Sequence, residues 1–60
     1  MTPAQRRALS YVVEIGRWPH KSHLRTFFAL KEAGLIWGPR SDTRATEAGR
    51  ALIAKLEGRA

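Results

Sequence analysis

The sequence predicts a small, mainly α-helical domain with one β-hairpin, in the order α-α-β-β-α. Three observations carry that reading. Apolar residues recur at helical spacing in three stretches, each bounded by a start and a stop signal. Between the second and third stretches lies a β-prone run, Leu35-Ile36-Trp37, followed by a cluster of turn formers. Finally, 60 residues allow a single domain over 1–60, and a chain of that size buries only about 60% of its unfolded surface. Zero cysteines remove disulfides and thiolate zinc sites as sources of stability, and fit a reducing, cytoplasmic home. No apolar run exceeds four residues, so no stretch reads as a membrane span or a signal-peptide core.

The first helix is predicted over residues 3–15. Thr2 caps it, Pro3 occupies the first helical position, and Gln5 is placed to close a capping box. Ala8, Leu9, Val12 and Val13 supply its apolar face with Ile15 at the end of the pattern, and Gly16 is the stop. Segment 17–22 is short: either Pro19 opens a single helical turn or Ser22 caps the second helix. That second helix is predicted over 23–33 and ends at Gly34. Leu24, Phe27, Phe28 and Leu30 spread wider than one narrow stripe, so burial on two sides is expected.

Leu35, Ile36 and Trp37 form the first hairpin strand, residues 38–42 the loop, and Thr43, Arg44 and Ala45 the return strand. Thr46 then caps a last helix over 47–56, where Glu47 suits the positive end of the helix dipole. Ala48, Leu52, Ile53 and Leu56 are its expected buried face, and Gly58 ends it. Gly49 costs about 1 kcal/mol inside a helix, which points to close packing against the hairpin.

Eleven Lys or Arg against five Asp or Glu leave a formal charge of +6, and eight of the eleven cations are arginine. Such a field favours nucleic acid or an anionic surface as partner. Arginine suits both bidentate phosphate and guanine contacts and protein interfaces. The cations are dispersed along the chain, with no block that reads as a disordered basic tail.

Two segments resemble a known family. Ala29-Leu30-Lys31-Glu32-Ala33-Gly34-Leu35-Ile36 resembles the end of the recognition helix and the first wing strand of winged-helix proteins. Thr46-Glu47-Ala48-Gly49-Arg50-Ala51-Leu52 resembles the start of the helix after the wing in MarR-like regulators. The resemblance covers residues 26–56, about half the chain, and residues 2–15 are compatible with the family's first helix. It implies a minimal winged helix (winged helix-turn-helix) that lays one helix in the DNA major groove and its wing on the backbone or minor groove. Carried over, Ser22, Arg25, Thr26 and Ala29 fall on the outward side of the second helix, with Arg25 the side chain for a guanine edge. Lys21, Arg40 and Arg44 become phosphate contacts, and Arg6 and Arg7 can add others from the first helix.

The sequence departs from that family in two ways. The stretch between the first two helices is too short for a full additional helix. Further, the alignment makes Phe27 and Leu30 core residues and turns Leu24 and Phe28 toward the groove-facing side, where relatives tend to be polar or basic. Leu24 and Phe28, four apart, share one helical face. Either Trp18 and segment 17–22 cover them as ordinary core, or they form a homodimer contact, or they dock another protein.

Other chemistry is not supported. His20 and His23 lack a third ligand nearby, and the serines lack a nucleophile–base pattern. Residues 38–40 make a turn and not a phosphate loop, and Trp18 and Trp37 are expected to pack in the core or on the hairpin. No catalysis, metal, cofactor or membrane attachment is implied. The expectation is a small basic DNA-binding protein and transcriptional regulator. Its dimer would form through the last helix or the Leu24/Phe28 face. The alternative is a winged-helix interaction module, an adaptor or inhibitor of a larger protein, chromosomal or phage-encoded, that uses Leu24 and Phe28.

Overall fold

A computed structural model describes residues 1–58 and has the order α1 (Pro3–Ile15), α2 (Leu24–Glu32), β1 (Ile36–Trp37), β2 (Arg44–Ala45) and α3 (Glu47–Leu56). This is the α-α-β-β-α layout of a minimal winged helix, three helices and a two-stranded antiparallel hairpin. None of the helices is long and apolar enough to cross a membrane.

The capping box forms at α1: the Gln5 amide donates to Thr2 Oγ1, and the Thr2 amide donates to Gln5 Oε1, both at 3.1 Å. Gly16 closes the helix in the left-handed region, at φ 82°. Ala8, Leu9 and Val12 face inward, Val13 is half-buried, and Ile15 projects into solvent beyond the packed face. Segment 17–22 is a turn closed by the Ser22 amide on the Pro19 carbonyl at 3.0 Å. Ser22 does not cap α2; His23 holds that position without a side-chain hydrogen bond.

α2 is shorter than the 23–33 predicted, because His23 and Ala33 are its caps. Its end is a Schellman motif: Leu35 N–H bonds the Leu30 carbonyl and Gly34 N–H the Lys31 carbonyl, with Gly34 at φ 76°. Only one side of α2 is buried, not two. Phe27 and Leu30 point inward, and Trp18 meets Phe27 edge-on, centroids 5.2 Å apart. Leu24 and Phe28 stay 48% and 59% exposed, which rules out the first of the three alternatives, cover by Trp18 and its segment.

The hairpin pairs Ile36 with Ala45 and Trp37 with Arg44, and its loop contains a 3-10 turn over Arg40–Asp42. Ile36 and Ala45 face the core, so the pleat turns Trp37 and Arg44 outward. Trp37 is therefore 56% exposed, against the expectation that it packs. Thr43 is fully buried, and its hydroxyl donates to the Pro39 carbonyl at 3.0 Å.

Thr46 joins the hairpin to α3. Its amide donates to Leu35 O and its hydroxyl to Gly34 O, and the same hydroxyl accepts from Gly49 N–H. Gly49 lies flat against the chain leading into β1: a Cβ there would stand 2.2 Å from the Leu35 carbonyl oxygen. That approach sets the rotation of α3, so Gly49 and Ile53 face inward and Leu52 is half-buried. Ala48 and Leu56, expected in the core, are exposed: Ala48 is rotated away from the Gly49–Ile53 line, and Leu56 is the helix's last residue. Arg6 bonds the Leu56 carbonyl and Ser10 the Glu57 carboxylate, which ties the end of α3 to α1.

Candidate nucleic-acid interface

Nine residues make α2 about 13 Å long, and a helix with its side chains, ~10–12 Å across, matches the ~12 Å width of a DNA major groove. The helix lies between α1 on one flank and β1 on the other, with its face opposite Phe27 and Leu30 in solvent. Arg25 sits in the first turn of that face. Thr26 and Ala29, half-buried, occupy the flank toward α1, whereas Leu24, Phe28 and Lys31 occupy the flank toward the hairpin. Lys31 ties that second flank down: its ammonium lies 5.5 Å from the Phe27 ring centroid and donates to Gly38 O at 3.3 Å.

Ser22 sits where two concavities meet. One, about 350 Å³, runs between α1 and the start of α2 and brings together Arg7, Tyr11, Lys21, Ser22 and Thr26. The other, about 500 Å³, lies between segment 17–22 and the hairpin loop, lined by Trp18, His20, Ser22, Arg40 and Ser41. Lys21, Ser22, Thr26 and Arg40 are thus gathered around the N-terminal end of α2, next to Arg25. Lys21, Arg25 and Arg40 enter no ion pair among the described residues.

Arg44 is placed differently. It stands opposite Trp37 on the outer face of the hairpin and pairs with Asp42 at 3.4 Å, both side chains well exposed. An exposed pair of that kind contributes about 0–1 kcal/mol, so it yields readily to a phosphate. Arg6 is held by the Leu56 carbonyl and serves α3 rather than the α2 surface.

His20 and Ser41 line the second concavity although the reading from sequence gave them no role in binding, Trp18 forms its buried floor, and Arg7, read from sequence as an added backbone contact from the first helix, lines the first. Helical spacing places Ala4, Arg7, Ala8 and Tyr11 on one flank of α1, which is the available signal for Arg7. That this flank meets the start of α2 depends on how segment 17–22 crosses, and no periodicity records that. In comparisons with known proteins, no family model, no curated protein and no solved structure matches this chain.

Proposed function

We propose that the chain is a DNA-binding module, a transcriptional regulator without catalysis, that presents α2 to the major groove and the hairpin to the backbone. The observation that carries this reading is that three exposed cations, Lys21, Arg25 and Arg40, none of them in an ion pair among the described residues, line three adjoining concavities at the N-terminal end of α2. A helix entering the groove meets base edges with its N-terminal residues. Arg25 offers the two-pronged fork that matches guanine O6 and N7. Arg7, Lys21, Arg40 and Arg44 supply phosphate contacts from three separate elements, which fixes the orientation of the module. Ala29 on the same helix suits the thymine methyl group. Glu32 lies at the far end of α2, away from the turn that would carry base contacts.

The test is fluorescence anisotropy of a labelled duplex across salt concentrations. Four phosphate contacts predict that log K falls with log salt at a slope of about −3.6. The absence of salt-dependent binding to any duplex overturns the proposal.

The exposure of Leu24 and Phe28 favours a second reading, an interaction module that docks a protein through that pair. Phe28→Arg separates the two. It preserves or strengthens DNA binding if α2 meets DNA, and it abolishes association if Phe28 anchors a protein partner.

A further inference from the structure

The solvent face of α2 is complementary to itself. Arg25 and Glu32 both lie on it, both exposed, and neither enters an ion pair among the described residues. Seven residues separate them, about 10.5 Å along the axis, two turns on nearly the same line. They are too far apart to neutralise each other within one helix. A second α2 laid antiparallel brings Arg25 of each copy against the partner's Glu32, twice over. The same twofold keeps each flank on its own side, so Phe28 lies beside the partner's Phe28 along one edge of the contact and Ala29 beside the partner's Ala29 along the other. The twofold axis then passes through the middle of the exposed face, directly opposite Phe27 and Leu30.

We infer that α2 pairs antiparallel with α2 of a second copy of this chain, and that this pairing occupies the surface proposed to meet DNA. A second copy fits better than a foreign acidic surface, which would set like charge against Glu32. It also gives partial cover to the exposed Phe28 and Leu24. A contact over nine residues is small, below the ~1,200 Å² of stable interfaces, and the +6 charge on each chain opposes it. The dimer is accordingly weak and concentration-dependent, the property a reversible off-state needs. The pairing stands on the geometry of α2 alone; the off-state rests on the DNA-binding reading.

Sedimentation equilibrium at about 0.15 M salt, where the screening length is about 8 Å, tests both parts. The wild-type chain is expected to show a monomer–dimer equilibrium at concentrations up to about 1 mM. Arg25→Glu and Glu32→Arg each set like charges against each other and are expected to weaken it tenfold or more. The double variant R25E/E32R restores the opposite-charge pairs and is expected to return within about threefold of wild type. Helix content by circular dichroism stays constant throughout, since all these positions are exposed. A wild-type chain that remains monomeric at about 1 mM, or a double variant as weak as the singles, overturns the pairing. Adding duplex DNA is expected to dissociate the dimer and give complexes with one copy per site. A dimer that persists on DNA, or a duplex that does not bind while the charge-reversal cycle holds, overturns the off-state and leaves the pairing standing.

Discussion

Phe27 and Phe28 are neighbours on one short helix, their rings in edge contact at 5.5 Å, yet one is 4% exposed and the other 59%. Phe27, with Leu30, closes the core against Trp18; Phe28, with Leu24, faces water beside Arg25. Both faces of α2 carry large apolar side chains, so their presence alone does not say which face is structural. The difference lies in what surrounds each face. The inner one packs within α1, β1 and Trp18, and the outer one is open to solvent. Leu24 and Phe28, four apart on one face, form an exposed apolar pair on α2, unlike the large apolar side chains of Ile15, Trp37 and Leu56, which are exposed on other elements.

Urea denaturation followed by circular dichroism puts this contrast to the test. Phe27→Ala is expected to cost about 3–5 kcal/mol, enough to unfold most of the population of so small a domain. Gly49→Ala comes next, at about 2–3 kcal/mol, although alanine is the better helix former by about 1 kcal/mol; the added Cβ runs into the Leu35 carbonyl. A stabilising Gly49→Ala would mean that α3 does not approach β1 as described. Thr46→Ala loses both the cap on Gly49 and the bond to Gly34 O, for about 1–2 kcal/mol. Phe28→Ala is the smallest, within about 0.5 kcal/mol. A loss there comparable to that of Phe27→Ala would assign the outer face to the core after all.

Much of the fold was legible because its signals are local. Thr2, Pro3, Gln5 and Gly16 delimit α1 unaided, and Thr46 with Gly49 announces the junction between hairpin and α3. The buried members of α2, Phe27 and Leu30, followed from the winged-helix resemblance, whereas the apolar spacing alone pointed to two buried sides. What failed depended on rotation and on long-range contact. Ala48 and Leu56 satisfy a helical period, but the Leu35 carbonyl turns α3 about Gly49 and leaves Ala48 outside, and Leu56, on the buried line, ends the helix beyond the packed face. Trp37 is a large apolar residue whose fate is decided by one step of strand alternation from Ile36. The cations of the site were identifiable as residues, and the gathering of Lys21, Ser22 and Arg40 was not. It comes from the path of segment 17–22 between α1 and the hairpin loop.

The most direct test of the central claim, that charge is concentrated functionally at α2 rather than spread as a total of +6, compares two arginines. Arg25→Ala and Arg50→Ala remove the same charge from exposed positions, one on α2 and one on α3. Duplex affinity by fluorescence anisotropy at one fixed salt concentration is expected to fall about tenfold or more for Arg25→Ala, as for loss of a base-edge contact, and to change less than about threefold for Arg50→Ala. Equal losses for the two variants would show that the duplex responds only to net charge, and the assignment of α2 as the recognition surface would be wrong.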